Sequence, residues 1–414
     1  MTTTIQNNRI HSVDALRGFA LAGVVLVHIV EQYIAGPTPE GFMEGVNGLP
    51  DQIVQGFLQL FFSGKFFALF SILFGLSFAI QMQSAESKNI AFGKRFIWRA
   101  VLLFLIGYVH QLFYRGDILT IYAVLAPFII PFYRMSNKAI LITAGIIFFG
   151  IPRLIAFFLF GTESATGIHS FMDNNNEAIL HYFDVIQNGS LAEVFKINAT
   201  YGMLTKIDFQ VSFFGRFYYT FGYFLIGLWL GKIGLFKNLL SYSKKIKTWM
   251  LWSIVALLVS LAVMMITFAT MPQPFDNSSF QFFLGMNFMD WFNMSMASIL
   301  LCGFLMLFQK PVWEKRLLFF APYGKMALTN YFFQSVIGTF LFFGWGLGYL
   351  GQLRSVYLFG IGILIIIFQT LFSKYWLKTF RYGPLEWLWR SATYFKWQPM
   401  LHESNDANTQ INTI

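Results

Sequence analysis

Cysteine, charge and hydrophilic stretches are all scarce in this chain of 414 residues. Its single cysteine, Cys302, has no partner for an internal disulfide and lies in an apolar run, so packing is its expected role. Charged residues make up 12% of the sequence, against about 25% in an ordinary soluble domain. His11, His28, His110, His169, His181 and His402 are scattered, with no HxxxH or HExxH spacing, so no metal is expected. There is no Walker-type loop, GxSxG elbow or Rossmann glycine pattern, which argues against an ATP-driven pump and against hydrolases of those types. No hydrophilic segment is long enough to fold as a domain of its own.

What fills the chain instead is apolar: 56% hydrophobic residues, 20% aromatic, 52 Phe and 11 Trp, with a mean hydropathy of +0.58. The composition predicts a polytopic integral membrane protein, an all-α helical bundle. Apolar runs of spanning length lie near 15–34, 57–80, 96–114, 118–133, 138–160, 211–231, 248–271, 288–308, 323–343 and 354–377, which predicts about ten transmembrane helices. The net charge of +10 invites a nucleic-acid reading. Its distribution argues otherwise. Basic residues such as Arg95, Arg134, Lys232, Lys245, Arg316 and Lys378 gather at alternate ends of the spans, so the positive-inside rule sets both termini in the cytoplasm. The expected partner is membrane lipid, with no nucleic acid. The first span has no convincing cleavage site and is read as a retained helix.

The chain divides into four stretches. Residues 1–160 form a first five-helix half, and 161–208 an outer loop with short amphipathic helices near Ile179–Ile186 and Leu191–Ile197. Residues 209–401 form a second half ending in an interfacial tail helix, and 402–414 a disordered tail. Glu386 and Arg390 in that helix are spaced for an i,i+4 ion pair. No convincing repeat relates the halves. Sequons at Asn188, Asn198 and Asn277 fall in outer loops.

The first span, "DALRGFALAGVVLVHIV" (14–30), carries Asp14, Arg17 and His28. At about 100° per residue, Arg17 and His28 fall within about 20° of each other and Asp14 within about 40° of His28, so the three share one stripe. Arg17 to His28 spans roughly 16 Å of helix, about half a bilayer core. An imidazole at mid-membrane is costly unless used. The plainer reading is interhelical hydrogen bonding, with Asp14 and Arg17 as a cytoplasmic anchor.

Further candidates follow. His110 and Asp117 flank the turn in "GYVHQLFYRGDIL" and are candidates to orient His28 or hold an acceptor; the alternative is a capped hairpin with Arg115 exposed. Glu31, one turn beyond His28, is another orienting candidate. Lys65 either snorkels to the outer interface or faces a cavity. Asn330 and Gln334, four residues apart, either glue helices together or line a cavity.

Five ordered stretches carry a family resemblance: "VDALRGFALAGVVLVHI" (13–29), "GKFFALFSILFGLSFAIQM" (64–82), "RFIWRAVLLFLIGYVHQLFYRGDILTIYAVLAP" (95–127), "YGKMALTNYFFQSVIG" (323–338) and "YGPLEWLWR" (382–390). From end to end the chain resembles the YeiB-like bacterial membrane proteins, domain of unknown function 418, which implies a multi-pass protein of the bacterial inner (plasma) membrane. Its first helix also resembles that of a wider group of transmembrane acyltransferases, which share an Arg, ten residues, then a His. Arg17 and His28 fit that spacing. The resemblance implies an acyltransferase using acyl-CoA as donor, without a metal, and a small-molecule or glycan acceptor with a hydroxyl or amine. His28 would then act as base, and Arg17 and Arg99 would meet donor phosphates. The competing expectation is a secondary transporter or exporter whose substrate pathway is the same polar stripe.

Overall fold

The computed structural model describes residues 2–42, 47–90, 92–160, 177–211, 215–272 and 279–402. The 403–414 segment, Asn277 and much of the outer loop lie outside these. Among the described residues the fold is all-helical, with one isolated β-bridge between Phe380 and Leu401.

The first half runs α1 (Thr2–Val30), α2 (Leu49–Phe61), α3 (Lys65–Glu86), α4 (Gly93–Phe113), α5 (Leu119–Arg134), α6 (Asn137–Phe148) and α7 (Ile151–Phe160). Three short helices follow: α8 (Glu177–Asn188), α9 (Leu191–Ala199) and α10 (Tyr201–Val211). The rest comprises α11 (Arg216–Lys232), α12 (Ser243–Ala269), α13 (Phe280–Phe308), α14 (Pro311–Leu317), α15 (Ala321–Lys325), α16 (Ala327–Phe342), α17 (Ser355–Thr379) and α18 (Pro384–Tyr394).

Local chemistry sets several boundaries. Ser190 and Glu193 close a capping box at the start of α9, with the Ser190 N–H donating to Glu193 at 2.7 Å. Gly150, at φ +81°, separates α6 from α7, which are bent by 43°. Gly64, at φ +80°, separates α2 from α3.

Six helices or helix runs are long and apolar enough to cross a membrane: His11–Val30, Leu49–Glu86, Gly93–Phe113, Leu239–Ala269, Phe280–Phe308 and Ser355–Thr379. The bent pair α6–α7 makes seven. The expected ten exceeds this because α5, α11 and α16 have only 16 or 17 residues, about 24–26 Å of helix against a hydrocarbon core of about 30 Å. α12 leaves Leu251, Leu258 and Ile266 each at least 60% exposed. Apolar surface on this scale suggests a membrane protein.

At the centre stands α1, packed on α3, α15, α16 and α17. Small residues allow the closest crossings. A Cβ at Gly227 of α11 would lie 1.9 Å from the Ile72 carbonyl oxygen of α3, and one at Gly75 of α3 would lie 2.0 Å from that of Phe224. The tail helix α18 packs on α4 and α16. Its Glu386 does not pair with Arg390 as expected. Its carboxylate instead accepts from the N–H groups of Leu328 (2.7 Å) and Thr329 (3.0 Å), capping α16. The Trp98 and Trp389 indoles bind the carbonyls of Ala392 and Arg99, locking α18 to α4.

Candidate functional site

Two cavities lie back to back, sharing walls at Phe70, Tyr122 and Tyr331. The first, about 430 Å³, holds His28, Glu31, Arg115, Asp117, Lys206 and Arg216 on its wall. The second, about 270 Å³, holds Arg17, Arg99, Lys325 and Glu386. The two are named the outer and the inner cavity after the orientation that the charge distribution in the sequence predicts. A third space of about 620 Å³ adjoins the outer cavity along Glu31, Ala35, Gly36 and Ser63.

His28 presents its ring between Tyr33 (5.5 Å) and Tyr114 (5.1 Å), edge to face, and its ring nitrogens make no hydrogen bond among the described residues. Aromatic walls hold it in place while its ring nitrogens stay available to a ligand. Glu31 accepts a long bond from Ser63 Oγ at 3.4 Å and stands where the outer cavity meets the third space.

Arg17 does not share a chamber with His28, although the two lie on one face of α1. Its Nη1 pairs with Asp14 at 2.7 Å and its Nη2 donates to Ser77 Oγ at 3.2 Å. Asp14 touches neither cavity; it fixes Arg17. Arg99 lies with its guanidinium carbon 4.1 Å from the Trp389 ring centre, and the exposed Lys325 sits on the same inner wall.

His110 and Asp117 are adjacent, but only Asp117 reaches the outer cavity. His110 is fully buried behind it, stacked on Tyr331 at 4.7 Å. Its Nδ1–H donates to Asp117 Oδ1 at 2.8 Å, because a carboxylate can only accept. Its Nε2 meets Ser335 Oγ at 2.7 Å. Both ring nitrogens are thus engaged, and neither orients His28.

Asp117 is equally committed. It accepts from the N–H groups of Leu119 (3.1 Å) and Thr120 (2.9 Å) at the start of α5, from Thr120 Oγ1 (2.7 Å) and from Lys206 Nζ (3.2 Å). Burial in this turn between α4 and α5 opposes its charge. The Lys206 ammonium and the bond from His110 outweigh that burial and hold the carboxyl below the usual carboxylate range.

Three other candidates lie away from these cavities. Lys65 neither snorkels nor lines one: it is 2% exposed, and its ammonium donates to the Gln59 carbonyl at 2.6 Å. Asn330 donates to Ser373 Oγ at 2.9 Å and Gln334 to Gln369 Oε1 at 2.8 Å, so both tie α16 to α17. Asn198 is fully buried and bonded to the Leu112 carbonyl at 2.9 Å, which closes that sequon to modification in the folded chain.

Reading the sequence missed the cations of the outer cavity. Arg115, exposed in the capped-hairpin alternative, is 4% exposed, donates from Nε to the Ile34 carbonyl at 2.8 Å and lies 3.8 Å from the Tyr182 ring centre. Lys206 arrives from α10 and Arg216 from the start of α11. A buried pair, Arg153 with Asp290, joins α7 to α13, and Arg216 approaches the same carboxylate at 3.9 Å. No group of three or more His, Cys, Asp or Glu residues able to hold a metal occurs among the described residues.

The fold and these polar chambers define a class: an all-helical protein whose long apolar helices suggest a membrane setting. Residues 230–396 match the family described as "Protein of unknown function (DUF418)". The chain is 29% identical over 416 residues to the uncharacterized protein YxaH of Bacillus subtilis (strain 168), covering 96% of this chain and 97% of that one. It is 27% identical over 418 residues to the uncharacterized protein YeiB of Escherichia coli (strain K12), covering 92% and 95%. Together these matches support a YeiB-like protein of the DUF418 family. No solved structure matches it.

Proposed function

We propose that the chain is a membrane-embedded acyltransferase that moves an acyl group from acyl-CoA on the cytoplasmic side to a hydroxyl or amine of an envelope or extracellular acceptor. One observation carries the reading: a cation-lined chamber and an imidazole-lined chamber share a thin aromatic wall. Arg17, Arg99 and Lys325 suit the phosphates of a coenzyme A donor, whose thioester would reach toward Tyr122 and Tyr331. On the other side, an acceptor would enter the outer cavity beside His28.

The chemistry then follows. His28 takes the proton as the acceptor oxygen or nitrogen attacks the thioester carbonyl carbon. The new C–O or C–N bond forms, the C–S bond breaks, and the proton passes to the leaving thiolate. Asp117, with its lone pairs occupied, shapes the wall rather than exchanging protons. Acyl transfer needs the thioester arm to pass between Phe70, Tyr122 and Tyr331, whereas a carrier would need the same wall to part far enough for a whole substrate to cross.

Membrane vesicles given radiolabelled acetyl-CoA test this. Label should enter a lipid or glycan fraction, and His28→Ala should reduce transfer by about 10²–10⁴-fold, the usual worth of a general base. Unchanged transfer in His28→Ala removes the base. Substrate counterflow without covalent label identifies a carrier.

A further inference from the structure

We infer that the outer cavity is built for an anionic ligand, a molecule bearing a phosphate or carboxylate that docks on Arg115 with Arg216 as the second cation. As a statement about the acceptor this rests on the acyl-transfer reading. The anion site itself rests on the geometry alone.

Of the three cations on that wall, Lys206 is spent. Its ammonium donates to Asp117 and to the side-chain oxygens of Gln111 and Thr120 at 2.5 Å each, using all three N–H donors. Arg115 is different. It is more than nine-tenths buried, bonds a backbone carbonyl only through Nε, and has no carboxylate within ion-pair distance among the described residues. Its Nη2 is buried without a hydrogen-bond partner. A buried guanidinium N–H left unsatisfied is costly, and an incoming anion repays that cost. Arg216 is only loosely held, at 3.9 Å from an Asp290 carboxylate already paired with Arg153. Of the two acids on the wall, Asp117 is matched by Lys206, and Glu31 forms no ion pair among the described residues. Arg115 and Arg216 therefore outnumber Glu31.

Gly36 makes the room. A Cβ built there would lie 2.3 Å from Arg115 Nη2, so this glycine is what lets the guanidinium occupy its place beside the cavity. The recognition follows from chemistry: a guanidinium edge offers paired N–H donors matched to the oxygens of phosphate or carboxylate. A hydroxyl or amine elsewhere on the same ligand would then lie on the wall that carries His28.

Thermal unfolding of the purified full-length chain in detergent tests this without turnover. The probes are sn-glycerol 3-phosphate, for a soluble source, and dihexanoyl phosphatidic acid, for a lipid headgroup, with glycerol as the neutral comparison. Saturable stabilisation is expected from at least one anionic probe and none from glycerol; which probe works identifies the source. Affinity should fall about tenfold or more in Arg216→Gln and in Gly36→Ala, the latter displacing Arg115 while every polar group is kept. Equal effects of glycerol and the anions, or unchanged affinity in both variants, would overturn the site. Anion binding that persists while His28→Ala leaves acylation unchanged would reject the acyltransferase and keep the anion site. Acylation lost in His28→Ala without any anion binding would do the reverse.

Discussion

Replacing Asp117 by Asn removes one negative charge from a buried turn and should destabilise the whole protein. The carboxylate and Lys206 form a buried pair at 3.2 Å, with side chains 0% and 6% exposed. Breaking such a pair from one side costs about 3–5 kcal/mol, because the other charge stays buried without its counter-ion. Asn keeps one oxygen for the α5 N–H groups, so the capping loss of about 1 kcal/mol is partial and overlaps with the pair. The total is therefore about 3–5 kcal/mol, a large share of a typical stability of about 5–15 kcal/mol. The double variant Asp117→Asn/Lys206→Met removes the stranded ammonium and should recover part of the loss. Denaturant unfolding of the three proteins in one detergent measures this. The pH dependence has a definite sign. The folded carboxyl titrates below its unfolded value of about 4, so its contribution is present above that pH and disappears only as pH drops through the lower, folded value. An Asp117→Asn protein as stable as the parent, with no recovery in the double variant, would refute the assignment of Asp117 to the hairpin's scaffold.

Further outcomes are open to measurement. If the proposed acyl transfer holds, Arg99→Gln should raise the KM for acetyl-CoA about tenfold with little change in kcat, since a phosphate contact would be made equally in ground and transition states; a fall in kcat alone would contradict the proposed donor role of Arg99. Gly227→Ala forces a Cβ against the backbone oxygen of Ile72 and should cost about 1–3 kcal/mol in unfolding experiments. Gly303→Ala, with nothing within 4 Å of the added Cβ, should cost nothing, and equal behaviour of the two would refute the close crossing of α3 and α11.

The helices were legible because long apolar runs with polar ends have few alternatives in structure. The breaks were less so. Gly64 and Gly150 sit inside runs long enough to read as single spans, although Lys65 follows the first and Pro152 and Arg153 the second; their positive φ marks the interruption. At the site, periodicity puts Arg17 and His28 on one face of α1, yet it carries no information about the aromatic wall between their chambers. That wall comes from α3, α5 and α16, which are distant in sequence. Arg115 read as an exposed turn residue because its cover, Tyr182 of α8 and Gly202 of α10, is supplied some 70 to 90 residues later. Lys206 carried a faint signal, a basic residue two positions before Asp208 in a short helix with no other charged residue. Glu386 was paired on paper with its helical neighbour, but two N–H groups at the head of α16 hold its carboxylate, while Arg390 lies over the Tyr382 and Tyr394 rings.

The grip of Glu386 on α16 makes the far end of the polypeptide part of the inner chamber. Glu386 and Trp389 are themselves wall residues there, and α16 carries Tyr331 two residues beyond the Thr329 amide that Glu386 holds. Trimming the protein back past Tyr382 would therefore unseat a helix start and open one side of the compartment together, whereas a tag fused beyond His402 would spare both. Any binding event that tugs on this last helix would be felt at the aromatic wall without a single ligand entering either space.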